Sequence, residues 1–184
     1  MLTKTLLAAA ALAAAGLAHA EAATYAVDPT HTFVTFEAKH FNTSTLRGRF
    51  DKKEGTVSFD KAGKSGRAEV TFDMTSVSTG VPAPSNANLS PTNLAVGASA
   101  ALKKSLPFKC VSSAGTLTMN GKTQPVTLTA ANFNCYDNPM LKREVCGGDF
   151  ETTIQRSQWG VSYGLQYGLP DNIRLLIQIE AVKQ

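Results

Sequence analysis

The chain has 184 residues, three cysteines and a formal net charge of +4 at pH 7, with 43% hydrophobic and 17% charged residues. That length suits one domain with a sizeable core. The basic residues are scattered, apart from pairs such as Lys52-Lys53 and Lys103-Lys104, so no basic stripe interleaved with aromatics points to a nucleic-acid partner.

Lys4 gives the chain a short basic start, Leu6 to Leu17 is an Ala/Leu-rich run, and Ala18-His19-Ala20 is a small-x-small cleavage site. These are the parts of a secretory signal peptide, because the run is too short for the ~30 Å of hydrocarbon that a spanning helix must cross. Residues 1–20 are expected to be removed, leaving residues 21–184 as a single exported domain. No later stretch reaches ~18 uninterrupted apolar residues. Even the best run, Ile173 to Val182, carries Arg174, Gln178 and Glu180.

The stretch from Tyr25 to Phe59 reads as a long hairpin. Val34, Phe36 and Ala38, and later Val57 and Phe59, alternate with Thr35, Glu37, Lys39, Thr56 and Ser58. A period of two means strands with one buried face. After a turn at Gly63 to Gly66, a third strand places Ala68, Val70, Phe72 and Met74 opposite Glu69, Thr71 and Asp73. From Pro82 to about Leu106 the alternation stops, which predicts an irregular loop or one short helix near Ala95 to Lys104, where Ala and Leu favour helix.

Alternation resumes near Phe108. Leu117 and Met119 lead into Asn120-Gly121, a pair suited to the positive φ angles of a tight hairpin turn, so Gly115 to Met119 should pair with Gln124 to Phe133. Val126, Leu128 and Ala130 then share a face. Cys135 and Cys146 flank a turn-like segment, YDNPMLKREV. In an exported chain they are expected to form a disulfide that adds about 3 kcal/mol by the chain-entropy argument. A metal pair or a catalytic thiol would need further ligands or an activating partner, and Cys110 is left over. Gly148 to Ile154 is the next strand, with Phe150, Thr152 and Ile154 on one side. A Gly-rich bend, WGVSYGLQYGLP, leads to the last strand, where Ile173, Leu175, Ile177 and Ile179 alternate with Arg174, Leu176, Gln178 and Glu180.

About eight antiparallel strands emerge, enough for an up-and-down barrel or a sandwich. Closure would remove exposed edges, and eight strands enclose either a filled core or room for one small ligand. Alternation identifies the inner face without deciding between these two interiors.

Several motifs together resemble one known family. They are Tyr25-x-Val27-Asp28-Pro29-x-His31, Val34-x-Phe36-x-x-Lys39-His40, Arg47-Gly48-Arg49-Phe50, Gly55-Thr56-Val57 and Phe59-Asp60. They continue with Gly115-x-Leu117-Thr118, Gly121-x-Thr123-x-Pro125-Val126 and Arg156-Ser157-x-Trp159-Gly160. In order and spacing these are similar to the YceI-like, polyisoprenoid-binding family, and the Cys135 and Cys146 pair resembles its disulfide-bearing branch. The resemblance covers residues 25 to 82 and 114 to 183. It implies an all-β fold, an eight-stranded antiparallel lipocalin-like barrel with one short helix or irregular loop, in the bacterial periplasm, with a polyprenyl or isoprenoid-quinone chain as its apolar partner. A flexible hydrocarbon tail needs buried apolar area, at about 25 cal/mol per Å², rather than catalysis. The residues expected to line the cavity are Val34, Phe36, Val57, Phe59, Val70, Phe72, Leu117, Met119, Val126, Leu128, Phe150, Ile154 and Trp159, with Ile173, Leu175 and Ile177 from the last strand. Plain core is the alternative for each. The segment from Pro84 to Ser113 departs from the family pattern, as a diverged loop or as the product of two compensating frameshifts, which translation of the other two reading frames distinguishes.

Catalytic signatures are missing. Only His31 and His40 follow the leader; His31, beside Asp28-Pro29, is expected to stabilise a turn. No Gly-x-Ser-x-Gly elbow, phosphate loop or zinc signature is present, so the expectation is a binding protein with no metal and no cofactor beyond a bound lipid. A non-catalytic scaffold with a filled core is the alternative. Arg47, Arg49, Lys52 and Lys53 lie near a strand turn, as head-group contacts or as a solvated charged hairpin end.

Overall fold

A computed structural model describes residues 22–62, 65–80, 104–105 and 112–184. The leader reading of residues 1–20, Cys110 and nearly all of the segment that departs from the family pattern lie outside them. The exceptions are Lys104-Ser105, which forms a short strand at the place where the expected helix would end, and Ser112-Ser113, which begin the next described strand.

Among the described residues eleven strands form one antiparallel sheet. They are β1 (Ala23–Val27), β2 (Phe33–His40), β3 (Ser44–Phe50), β4 (Lys53–Asp60), β5 (Ser65–Phe72), β6 (Val77–Ser78), β7 (Lys104–Ser105), β8 (Ser112–Met119), β9 (Lys122–Asn138), β10 (Arg143–Gln155) and β11 (Asn172–Lys183). The sheet wraps around an apolar interior as a lipocalin-like barrel. Strand β11 is its spine. One edge of β11 pairs with β10, and the other pairs with β2 along Ile173–Gln178 and with β1 at Ala181–Lys183. From there the sheet divides: β2 continues to β3 and β6, and β1 continues to β4, β5 and β7. On the far side β10 leads to β9 and β8. The described strands outnumber those expected because the first is broken into β1 and β2, β3 was not read from the sequence, and β6 and β7 are two residues each.

The reading of Tyr25 to Phe59 as one hairpin needs correction. That stretch holds four strands. β2 turns directly into β3, with His40 opposite Ser44 and Phe41 and Asn42 at positive φ, whereas β4 pairs with β1. Alternation reports which face a residue takes but not its partner strand. β3 also escapes an apolar count because its central inward position is Gly48. There the register sets Phe36 opposite the glycine, and a Cβ would collide with the Phe36 ring.

The break between β1 and β2 is built by polar side chains. The Asp28 carboxylate accepts from the Thr30 N–H at 2.8 Å and from its hydroxyl at 2.6 Å, and pairs with His31 Nδ1 at 2.7 Å. Thr32, fully buried, donates its hydroxyl to the Glu180 carbonyl and accepts from the Glu180 N–H, both at 3.1 Å. This ties the break to β11. Burial alone would raise the Asp28 carboxyl, but hydrogen bonds from His31 and Thr30 outweigh it and bring it down to about 2. The same bond from Asp28 raises the imidazole of His31 above its ordinary value. With a raised folded-state value, the His31 contribution is complete below the ordinary histidine range and is lost as pH rises through the raised value. With a lowered value, the Asp28 contribution is present above the ordinary aspartate range and is lost as pH falls through about 2. NMR titration should show the His31 midpoint above the ordinary range, and Asp28→Asn should bring it down.

The hairpin of β8 and β9 turns at Asn120-Gly121, both at positive φ, as the Asn-Gly pair predicts. The hairpin of β9 and β10 is longer than expected. Cys135 and Cys146 face each other within the ladder and form the disulfide, so the intervening segment continues both strands to a turn at residues 139–142 rather than forming a loop. Closing a loop over a separation of 11 residues predicts that Cys135→Ser with Cys146→Ser lowers unfolding free energy by about 3 kcal/mol, read from urea midpoints.

Two apolar clusters line the barrel's interior. The smaller, Tyr25, Phe59, Cys146 and Ala181 with Phe133 and Cys135 against it, closes one end. The larger includes Val34, Phe36, Phe50, Val70, Phe72, Leu117, Val126, Ile154 and Ile177, and surrounds the hollow described below.

Candidate functional site

The interior of the larger cluster is not filled. It holds a cavity of about 560 Å³ lined by strands β2, β3, β5, β8, β9, β10 and β11 and by the segment between β10 and β11. Of the residues expected to line it, Val34 and Phe36 face it from β2, Val70 and Phe72 from β5, Leu117 and Met119 from β8, Val126 and Leu128 from β9, Ile154 from β10, and Ile173, Leu175 and Ile177 from β11.

Four expected residues do not line it. Phe59 belongs to the closed end, packed edge-to-face on Phe133 at 5.6 Å and tilted against Tyr25 at 6.4 Å. Val57 sits opposite Tyr25 at the boundary between the clusters. Both have the inward parity but lie too far along β4 to reach the hollow. Phe150 follows a register shift between β9 and β10 and packs against the cluster without reaching the cavity. Trp159 is a structural plug, 1% exposed, in a 3-10 turn (Arg156–Trp159) after β10. Its indole N–H donates to the Leu117 carbonyl at 3.0 Å, and Asn120 Nδ2 donates to the Trp159 carbonyl at 3.2 Å.

Several lining residues escaped the sequence reading. Leu46 and Phe50 follow the same alternation once β3 is recognised, and Met74, read on the inner face but not among the expected lining residues, reaches the cavity from the 3-10 turn after β5. Others come from the segment after Trp159, among them Val161, Tyr163, Tyr167 and Leu169, where no periodicity exists to read.

Arg156 organises that segment. Its side chain is buried and donates from Nε to the Pro170 carbonyl at 3.2 Å and from Nη1 to the carbonyls of Val161 at 3.0 Å and Tyr163 at 2.7 Å. Burial lowers the guanidinium from its ordinary value while Asp171 opposes that shift. An arginine stays charged through such a shift, and its fork of donors suits convergent carbonyls. Asp171 in turn accepts from the Ser157 N–H at 2.8 Å and its hydroxyl at 2.6 Å. The Arg-Ser-x-Trp-Gly motif therefore folds the wall of one end of the cavity. At Gly164, where φ is +76°, a side chain would also collide with Leu169.

The solvent-exposed lining residues, Lys39, His40, Phe41, Tyr163 and Tyr167, all belong to that end, which is the mouth. The other end is shut by Tyr25, Phe59 and the disulfide. There the Tyr25 hydroxyl donates to Glu144 at 2.6 Å, and Lys61 pairs with the same carboxylate. Burial, reinforced by Glu144, raises the phenol far above its ordinary value, while Lys61 and Tyr25 lower the carboxyl.

Arg47, Arg49, Lys52 and Lys53 are absent from the cavity lining. Arg47 pairs with Glu37 at 2.8 Å, Arg49 with Asp51 at 2.6 Å and Lys52 with Asp73 at 3.8 Å, and the Lys53 ammonium lies 4.4 Å from the Phe33 ring centroid. They form a charged outer surface. Among the described residues no group of three or more His, Cys, Asp or Glu side chains stands together as a metal site, and no helix is long and apolar enough to cross a membrane.

Residues 25–181 match the family model described as YceI-like domain. A UPF0312 protein of Pectobacterium atrosepticum is 31% identical over 195 residues, covering all of both chains. Among solved structures, BcnA of Burkholderia cenocepacia superposes with a TM-score of 0.62 at 22% identity, over 84% of this chain and 99% of its own. A polyisoprenoid binding domain from Saccharophagus degradans, implicated in plant cell wall breakdown, superposes with a TM-score of 0.61 at 16% identity, over 87% of this chain and 98% of its own. Those two likenesses establish a shared fold.

Proposed function

The chain belongs to the YceI-like domain family, and from that premise we propose that it is a non-catalytic binding protein that holds a long apolar lipid of the isoprenoid type, exported to the periplasm by its N-terminal leader. The observation that carries this reading is the cavity of about 560 Å³ that opens at the exposed aromatic end and is walled almost wholly by aliphatic and aromatic side chains. An apolar hollow of ~150 Å³ accommodates one benzene ring, so this cavity takes roughly twenty to thirty carbon atoms, about four to six isoprene units. A hydrocarbon tail matches such a wall because binding then rests on apolar area removed from water. The polyisoprenoid-binding description of the Saccharophagus degradans domain supports the choice of an isoprenoid among apolar ligands.

One preparation tests both parts. The full-length gene is expressed in a Gram-negative host, and the purified protein is examined by mass spectrometry before and after organic extraction. The expected result is a chain lacking residues 1–20 with a co-purifying isoprenoid lipid, or uptake of an added short-chain polyprenyl quinone. An empty protein that takes up no quinone defeats the lipid reading, and an intact N-terminus defeats the export reading.

A further inference from the structure

We infer that the mouth of the barrel is a membrane-docking surface that seats on an anionic lipid bilayer, so that the cavity opens onto the lipid phase rather than into water. The inference deepens the lipid-binding reading and rests on it for its purpose, but not for its geometry. Phe41, Tyr163 and Tyr167 are 49%, 43% and 70% exposed, and all three also belong to the cavity lining. The apolar interior therefore continues outward into a collar of these exposed aromatic rings, with Lys39 and His40 beside them at the mouth. Phe41 comes from the hairpin of β2 and β3, and the tyrosines come from the segment held by Arg156. The Phe41 ring lies beside Gly168, which brings the two parts of the collar together.

The charge around the collar is one-sided. Among the described residues its three segments, 39–44, 119–123 and 156–171, contribute the surface cations Lys39 and Lys122, while Arg156 is buried against backbone carbonyls and the one carboxylate, Asp171, is engaged by Ser157. Further from the mouth, Glu37 and Glu151 are matched by Arg47 and Arg174. A collar of exposed aromatic rings with lysines beside it matches the interfacial region of a bilayer, where aromatic side chains settle at head-group level and cations meet anionic lipids. At the opposite end Tyr136, Met140 and Leu141 are exposed too, but there Asp137 and Glu144 stand among Lys142 and Arg143, so the charge is balanced.

The test uses the mature protein, vesicles of phosphatidylcholine with and without phosphatidylglycerol, and a Tyr167→Trp variant. With Tyr167 so exposed, the substitution adds a reporter at the collar, and the signal of buried Trp159 is subtracted using the unsubstituted protein. The expected result is a blue shift of the new emission on vesicles containing phosphatidylglycerol that weakens as salt is added. Co-sedimentation should fall about tenfold for Phe41→Ser with Tyr167→Ser, and stay unchanged for Met140→Ser with Leu141→Ser. The inference is overturned if no vesicles shift the emission, or if the Met140 and Leu141 pair rather than the collar pair abolishes binding. Quinone uptake from detergent, measured on the same samples, separates the two readings. Uptake without vesicle binding sinks the docking inference alone, and vesicle binding without uptake sinks the lipid-carrier reading alone.

Discussion

Replacement of Trp159 by alanine lowers the free energy of unfolding by about 3–5 kcal/mol, the cost of emptying a large aromatic site in a packed core. Trp159 is 1% exposed, belongs to the larger apolar cluster and donates its indole N–H to the Leu117 carbonyl, so its loss both opens a void and strips a partner from β8. Trp159→Phe retains much of the apolar bulk and removes the donor, and should cost about 1–2 kcal/mol. Urea unfolding followed by circular dichroism measures both. Equal losses in the two variants would mean that the hydrogen bond, not the packing, gives the residue its weight. Because Asn120 donates to the Trp159 carbonyl, the alanine variant should also loosen the turn between β8 and β9, which hydrogen exchange at Gly121 and Lys122 would reveal.

The second large effect concerns the cavity itself. Leu175→Asp places a carboxylate in the wall of the hollow, on β11 and opposite Phe36. In the empty protein the new charge keeps access to water, since Leu175 is only half-buried. With a hydrocarbon in the cavity it must be desolvated without a partner, at a cost of several kcal/mol. Uptake of a polyprenyl quinone is therefore expected to weaken by about a hundredfold or more, while Leu175→Ala, which removes area but adds no charge, weakens it far less. Circular dichroism should show both variants folded. Unfolding of the aspartate variant would instead indicate that this part of the wall behaves as closed core.

Much of this architecture was legible before any coordinates. Period-two alternation marked the inward face of β2, β5, β8, β9 and β11, because a pleated strand sends every second side chain to one side whatever its neighbours are. The Asn-Gly turn followed from backbone preference at two residues. The pairing of Cys135 with Cys146 followed from their spacing and the expectation of export. Residues such as Val34, Phe36, Val126 and Ile177 could be placed on the cavity side for the same local reason.

The misplaced residues show where that reasoning ends. Phe59 and Val57 share the parity of true lining residues, yet the register of β4 against β1 carries them to the closed end. Register is decided by pairing between strands more than twenty residues apart, so parity cannot reveal how far along the barrel a side chain lies. β3 was hidden because its inward position had to be glycine to admit the Phe36 ring. The role of Arg156 was equally hidden. As a letter in a motif it looks like surface charge, but three carbonyls from the following segment converge on it only when that segment has folded back over the barrel.

The sequence by itself determined which faces are apolar, where the chain turns tightly, which cysteines can meet and which family the chain resembles, since each is carried by neighbouring residues or by motifs read in order. Only the tertiary structure decided which inward residues surround a hollow, that the hollow opens at the aromatic end, that Arg156 holds the segment walling that end and that Trp159 is packed away from the hollow. Those features depend on long-range register and on a loop without periodicity, and neither leaves a local trace in the chain.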